Sequence, residues 1–286
     1  MTEPSERGLD EGAASLAEIS IPRWFFRVLP PPVYHRIRRV PLVGTAIRRL
    51  IDTFVPKRGL VLTRVQSGAL SGMVLELDPR MQIDAVIGRY EAVVQEVIQE
   101  VLDTGGIAFD IGAHLGYFTL LMASYVREGG RVVSFEPDPT MVRGLDRNVT
   151  RNRAESGAEI VLVPAAVDEK PGRAAFTLGR ETSRGRLSSQ EGDLEVEVMT
   201  LDDASDRFGG AALIKIDVEG REVGVLTGGE RTLSAGRTVF IIEAHSEELQ
   251  RQCRELLTSH GYRAEVLRER GRAESYVVAR PDTLKR

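Results

Sequence analysis

The sequence predicts an α/β protein built on a mostly parallel sheet with helices on both faces. Three observations predict it. Short apolar runs alternate with helix-period runs from Ile107 to Gly261, the pattern of consecutive βα units. Those apolar runs carry few charges, as strands covered on both faces do. The chain has 286 residues and 42% hydrophobic content, enough for one large domain with a real core.

The elements follow in order. Residues 1–20 are polar, charged and free of aromatic residues, the composition of a disordered tail. Residues 21–58 mix aromatic and aliphatic side chains with arginines, and the triple proline at 30–32 breaks any long helix. Val43 to Phe54 can form a short amphipathic helix with Ile47, Leu50, Ile51 and Phe54 on one side. From residue 59 onward the main body begins. "LVLTRV" and "MVLELD" read as a hairpin or two edge strands. "RYEAVVQEVIQEVLDTGG" reads as a helix closed by Gly105 and Gly106. Then come strand "IAFDIG", helix "YFTLLMASYV", strand "RVVSFEP" and a helix from Pro139 through Asn152, with Pro139 suited to its first turn. "EIVLVPAAV" reads as one strand. "RAAFTL" and "LEVEVMTLD" read as strands around the polar loop "GRETSRGRLSSQEGD". Strand "ALIKIDVEG", helix "REVGVLTGGERTL", strand "TVFIIEAH" and helix "SEELQRQCRELLTSHG" complete the βα series. "RAEVLRE" and "ESYVVAR" close it as an antiparallel pair.

Composition excludes several function classes. The single Cys253 rules out an internal disulfide framework and any cysteine-rich metal site. No run approaches the ~20 apolar residues that span a bilayer. The acidic, polar N-terminus has no apolar core of a signal peptide, so a cytoplasmic protein is expected. The net charge of -4 hides an asymmetry: residues 23–58 hold nine Lys/Arg against Asp52 alone, while the body after them is acidic. The body is therefore not a binder of nucleic acid or other polyanions. Segment 21–58 is either a cap on the domain or an element that docks on a partner or on the inner membrane face. The oligomeric state is not legible.

"FDIGAHLGYFTL", Phe109 to Leu120, carries the first chemistry. Asp110 ends a strand, and Gly112 and Gly116 bracket the turn into a helix, with Ala113 and His114 between them. Glycine there lets the backbone approach a ligand closely. The spacing is Gly-x-x-x-Gly, not the Gly-x-Gly-x-x-Gly of dinucleotide binders. An acid at the mouth of the loop repels a pyrophosphate and suits a cationic, amine-bearing ligand. S-adenosylmethionine, with its sulfonium and amino group, fits better than NAD. Glu136, followed by Pro137, ends the next strand, where a carboxylate can accept hydrogen bonds from both ribose hydroxyls.

A second constellation lies in the later strands. In "LIKIDVEG", Lys215 and Asp217 share one face by the period of two, and Glu219 and Gly220 follow in the turn. In "TVFIIEAH", Glu243 and His245 share a face. Lys215 within a central strand needs a buried partner. If these strands are neighbours, Lys215, Asp217, Glu243 and His245 converge at the carboxyl edge of the sheet. They form either a buried ion-pair network or a catalytic group in which His245 or Asp217 is the base. A divalent cation on Asp217 is the disfavoured alternative, because three oxygen ligands are not demonstrated. Asn148 and Asn152 read as structural contacts, and Arg184, Arg186 and Ser188 suit a hydroxyl-rich or anionic acceptor.

Taken in order, "GRYEAVVQEVI", "FDIGAHLGYFTLLMA", "GGRVVSFEPDP", "LDRNVTRN", "MTLDD", "LIKIDVEGREVGVLTGGERTL" and "FIIEAH" resemble the FkbM-type S-adenosylmethionine-dependent methyltransferases over about residues 80–250. The family usually carries Asn where this chain has His114. The resemblance implies a Rossmann-like class I fold with a seven-stranded sheet over residues 59–286. It also implies O-methylation of a hydroxyl, often on sugars of glycolipids, polysaccharides or secondary metabolites. The rival readings are an NAD-dependent oxidoreductase, which the missing glycine fingerprint opposes, and a non-catalytic scaffold, which the intact Asp110, Glu136 and Asp217 oppose.

Overall fold

The computed structural model describes Glu18–Ile19 and residues 59–283, apart from 79–82, 103–105, 127–128, 156, 180–184, 189–191 and 269–274. Strands β1 (Glu18–Ile19), β2 (Val61–Arg64) and β3 (Val74–Leu77) form a small sheet in that order, with β2 and β3 the expected hairpin. β1 runs parallel to β2 and lies within the stretch read as a disordered tail. The rest of residues 1–58, including the amphipathic-helix reading of Val43 to Phe54, lies outside the described residues, as do Gly105 and Arg184.

A short helix α1 (Ile83–Val86), which had no periodic signal, precedes α2 (Ala92–Leu102). α2 buries Val94, Val97, Ile98 and Leu102, the stripe that its spacing predicts. The βα series then runs β4 (Ile107–Ile111), α3 (Tyr117–Tyr125), β5 (Arg131–Phe135), α4 (Pro139–Arg151) and β6 (Glu159–Val163). Asp138 caps α4 by accepting from the Thr140 and Met141 amides, and Pro139 takes the first turn, where its missing N–H costs nothing.

"EIVLVPAAV" is not one strand. Pro164 cannot donate to a ladder, and after it β7 (Ala166–Val167) joins a separate four-stranded sheet. That sheet adds β8 (Gly172–Thr177), β9 (Arg186–Ser188) and β10 (Leu194–Met199), in the order β7-β10-β8-β9. Thr200 stops the last strand by opening α5 (Leu201–Phe208) with a capping box to Asp203.

β11 (Leu213–Ile216) leads to α6 (Glu222–Thr227) and α7 (Glu230–Ser234). The single helix read over "REVGVLTGGERTL" breaks at Gly228 and Gly229. These glycines press against the Asp168 backbone and the Leu201 side chain, where a Cβ has no room. β12 (Val239–Glu243), α8 (Glu247–Ser259), β13 (Tyr262–Arg268) and β14 (Ser275–Pro281) complete the chain.

The main sheet has seven strands in the order β13-β14-β12-β11-β4-β5-β6. It is parallel except for β14, which is antiparallel to both its neighbours. One face packs Ala108, Val132, Leu213 and Ile241 against α2, α3 and the β2–β3 hairpin. The other packs Phe109, Phe135, Ile214 and Phe240 against α5, α6 and α8. After β4 the chain builds outward through β5 and β6, then returns to lay β11 and β12 on the other side of β4. The reversal between β4 and β11 opens a crevice at the carboxyl ends of these strands, where α/β sheets take their ligands.

Asn148 and Asn152 have the structural role their spacing suggests. The Asn152 amide exchanges hydrogen bonds with the backbone N and O of Val74 at 3.0 and 2.9 Å. Asn148 does the same with Glu76, at 2.7 and 3.2 Å. Four residues of helix and two residues of strand both advance about 6–7 Å, so two side-chain amides substitute for a neighbouring strand on the β3 edge.

Candidate active site

A cavity of about 570 Å³ lies at the carboxyl ends of β4, β5, β11 and β12. Of the residues singled out in the sequence, Asp110, Gly112, Ala113, His114, Glu136, Pro137, Lys215, Asp217, Glu243 and His245 all line it. Gly116 does not. It sits at the N-terminus of α3 with φ 85°, and a Cβ there would overlap the Leu145 side chain. Gly112, also at φ 85°, has a different demand: a Cβ would overlap the carbonyl oxygen of Asp217. Both glycines are thus required by protein packing, whatever the cavity holds, and Gly112 is what lets the β4 and β11 loops close on each other.

Asp110 is fully buried on β4. Its Oδ2 accepts from Thr119 Oγ1 at 2.7 Å, and Thr119 in turn pairs with Ser134 at 2.8 Å. Its Oδ1 is buried and has no hydrogen-bond partner. Burial raises its pKa, against the opposing charge of Lys215 and the Thr119 hydrogen bond. Glu136 accepts from the His114 amide at 2.8 Å on Oε2 and from the Asp138 amide at 2.9 Å on Oε1. Burial pushes its pKa up to about 7, although those two amide hydrogen bonds pull it down. Each carboxylate oxygen can accept more than one donor, so Glu136 keeps capacity for a ligand's hydroxyls.

Register joins the second constellation. β11 lies beside β4 with Lys215 opposite Asp110, and beside β12 with Lys215 opposite Ile241. Lys215 and Asp217 therefore share a face with Asp110 and Glu243. Lys215 is 3% exposed, and its Nζ donates to Asp217 Oδ2 at 3.2 Å and lies 4.7 Å from the centre of the Phe118 ring. Burial would discharge this lysine. Asp217, Asp110, Glu91 and Glu243 together more than offset that and hold its pKa above the ordinary value. Burial works against Asp217 too, but Lys215 and His245 keep its pKa low. Glu243 goes the other way: burial, with Asp217 and Glu91 adding, pushes it up to about 9. His245 lies with Nδ1 2.8 Å from Glu222 Oε1 and Nε2 3.2 Å from Glu219 Oε2. Burial opposes its charge, but the Glu219 and Glu222 hydrogen bonds and the nearby Asp217 push it up to about 11.

Sequence reasoning missed Glu222, which is fully buried, and Glu91 and Tyr90, which line the cavity from the start of α2. Among the described residues, the three non-glycine positions with positive φ are Glu91 (48°), His114 (50°) and Glu219 (51°), and all three line the cavity. Such backbone is costly for a residue with a Cβ and clusters at functional sites. The four-stranded sheet supplies the outer wall through Phe176, Leu178, Arg186 and Leu187. Among the polar-loop residues, Arg186 reaches the cavity.

Donor atoms of Asp217, Glu243 and His245 lie within 4.8 Å of one another, a spacing compatible with a cation. The Lys215 ammonium already supplies positive charge to that cluster. Among the described residues no helix is long and apolar enough to cross a membrane.

Residues 110–264, more than half of the chain, match the model of the methyltransferase FkbM domain. The chain belongs to the FkbM methyltransferase family. The family implies S-adenosylmethionine as methyl donor. The cavity fits it on two counts: the unpartnered, buried Asp110 Oδ1 awaits a donor such as an ammonium, and Glu136 retains acceptor capacity at the next strand end. Solved structures are similar to this chain at low identity. The methyltransferase FkbM from Methylobacillus flagellatus KT is 19% identical with a TM-score of 0.49, over 61% of this chain and 43% of that one. The precorrin-6y C5,15-methyltransferase from Geobacter metallireducens GS-15 is 15% identical with a TM-score of 0.44, over 65% and 86%. An rRNA methylase from Streptococcus thermophilus is 12% identical with a TM-score of 0.44, over 68% and 98%. The chain thus aligns with less than half the length of the Methylobacillus protein. No curated protein matches it.

Proposed function

We propose that this FkbM-family methyltransferase transfers the methyl group of S-adenosylmethionine to a hydroxyl, on a sugar of a glycolipid, polysaccharide or secondary metabolite. The carrying observation is Asp217 at the cavity wall, flanked by Lys215 on one oxygen and His245 on the other. A neutral sugar hydroxyl is a poor nucleophile and needs a proton acceptor as it attacks. Near neutral pH His245 is charged and Glu243 protonated, so Asp217 is the member of the cluster with an available lone pair. This favours Asp217 over His245 as the base.

The cofactor, when bound, supplies an already electrophilic methyl group. Asp110 would take its amino group and Glu136 its ribose hydroxyls. What remains for the chain is to align the acceptor oxygen, and positioning of that kind can contribute roughly 7–11 kcal/mol. The acidic lining, with Glu91, Asp110, Glu136, Asp217, Glu219 and Glu243, supports a neutral acceptor and opposes nucleic acid. Segment 21–58 would dock the protein on a partner or on the inner membrane face, with the body in the cytoplasm.

The test is mass spectrometry of the host's glycans and metabolites with and without the gene, and with the gene encoding Asp217→Asn. We expect a hydroxylated product that gains one methyl group only with the unaltered gene. No methyl difference in any hydroxylated product would overturn the reading.

A further inference from the structure

Glu222 is buried to 0% exposure in the first turn of α6, three residues after Glu219. A buried carboxylate needs a cation or several donors. Its Oε1 accepts from the Gly220 amide at 2.9 Å and meets His245 Nδ1 at 2.8 Å, while Oε2 is buried with no hydrogen-bond partner. On the opposite edge of the ring, Nε2 faces Glu219 Oε2 at 3.2 Å, Asp217 Oδ1 at 3.6 Å and Glu243 Oε1 at 3.9 Å. A neutral imidazole has one donor and one acceptor nitrogen, so one of its edges would turn a lone pair toward a carboxylate. A ring that donates from both nitrogens matches ionised carboxylates on these two edges. Glu219 meets the ring from a backbone with a positive φ of 51°, a conformation that is costly for a residue with a Cβ.

We infer that Glu219 and Glu222, two carboxylates of one turn, clamp His245 from both edges, and that Glu222 is a positioning residue that holds the ring beside Asp217. The groups facing the ring are Glu222 from α6, Glu219 and Asp217 from the β11–α6 turn, and Glu243 from β12, with Lys215 on the far oxygen of Asp217. Asp217 is thereby held between two cations, one at each oxygen, which fixes the plane of its carboxylate. The high pKa of His245 agrees with this geometry. The catalytic part of the inference rests on the methyltransferase reading above, and the clamp itself does not.

The chain has four histidines, so nitrogen-15 labelling of histidine in the full protein gives a spectrum simple enough to assign with His245→Gln. At pH 8, where an ordinary histidine is neutral, both His245 nitrogens should carry protons. In Glu222→Gln the midpoint of the His245 titration should fall by at least one pH unit. One unprotonated nitrogen in the unaltered protein at pH 8, or an unchanged midpoint in Glu222→Gln, overturns the clamp. If circular dichroism shows that Glu222→Gln is unfolded, Glu219→Gln reads the same clamp from its more exposed edge, with a fall expected and no change overturning it. Calorimetry with S-adenosylmethionine separates the two readings. Failure of the unaltered protein to bind it counts against the proposed function and leaves the spectra to judge the clamp. With a methylated product in hand, Glu222→Gln should lower kcat tenfold or more while the cofactor Kd stays within twofold. An unchanged kcat overturns the positioning role.

Discussion

Replacing Gly112, Gly116 and Gly236 separately by Ala divides the cost of a side chain at the site into its parts. All three have positive φ, at 85°, 85° and 59°. Gly236 has nothing within 4 Å of the position a Cβ would take, so Gly236→Ala isolates the conformational cost of about 1–2 kcal/mol. Gly116→Ala adds a collision with the end of the Leu145 side chain, which can rotate away, for a further cost of about 1 kcal/mol. Gly112→Ala meets the Asp217 carbonyl oxygen, and the two loops must part by roughly 1 Å before the Cβ reaches the 3.0 Å that real ones keep. Its cost should be about 3–5 kcal/mol, the conformational and overpacking terms together. In a domain of this size each kcal/mol lowers Tm by about 2–4 °C. A 1 Å displacement at a site can also cost about 100-fold in function. Thermal denaturation and calorimetric titration with S-adenosylmethionine measure both. We expect Gly236→Ala and Gly116→Ala to bind the cofactor within about threefold of the parent and Gly112→Ala to bind at least about tenfold more weakly. Equal affinity in Gly112→Ala and Gly236→Ala would refute the claim that this glycine sets the distance between the two loops.

Lys215→Met should destabilise the protein by about 3–5 kcal/mol in urea denaturation, since it leaves the fully buried Asp110 without its neighbouring cation and Asp217 with His245 alone. Lys215→Met with Asp217→Asn should recover part of that loss, and strict additivity would show that the pair is not coupled. Stability of the ligand-free protein should fall as pH rises from about 5 to 9. Glu136 and Glu243 have folded pKa values raised from 4.5 to about 7 and about 9, and His245 from 6.5 to about 11. Each contributes stability that is present below its unfolded pKa and lost as pH rises through its folded one. Urea midpoints across this range measure the slope; a midpoint that rises with pH contradicts the shifts, and Glu243→Gln should flatten the curve above pH 7. Asn148→Ala should cost about 1–3 kcal/mol and speed amide exchange at Glu76, whose N–H loses its acceptor. Unchanged exchange there would mean that the asparagine does not cover the strand edge.

The main sheet was legible because its signals are local. Each buried strand is a short apolar run, and each helix has its own stripe, cap or stop. The places where sequence and structure part are set by contacts distant in the chain. Pro164 marks the end of β6, but that the chain then enters a second sheet depends on β10, some thirty residues later. Gly228 and Gly229 break a helix because Asp168 and Leu201 press on them. In the cavity lining, Asp110, Glu136, Asp217, Glu243 and His245 could be singled out because each stands at or just past a strand end, and Lys215 because a charge within a central strand is out of place. Glu222 was missed because it stands on a helix, where a lone acid in a first turn looks like a favourable partner for the helix dipole. Its burial is visible only once β12 brings His245 against it.

The same distinction separates what the opening glycine loop specifies from what it permits. Gly112 and Gly116 at this spacing do not themselves select a ligand, since the collisions they avoid are with Asp217 and Leu145. Selection comes from charge. Asp110, Asp217, Glu91 and Glu219 outnumber the Lys215 ammonium and the His245 ring, so the crevice at the switch between β4 and β11 stays electronegative. A pyrophosphate entering there would meet carboxylates at both strand ends. A sulfonium with an amino group meets the reverse, an unpartnered oxygen of Asp110 and a field that attracts it. The lysine that looks out of place in a central strand sets how negative that crevice is, and it ties the carboxylate facing the cofactor to the one facing the acceptor.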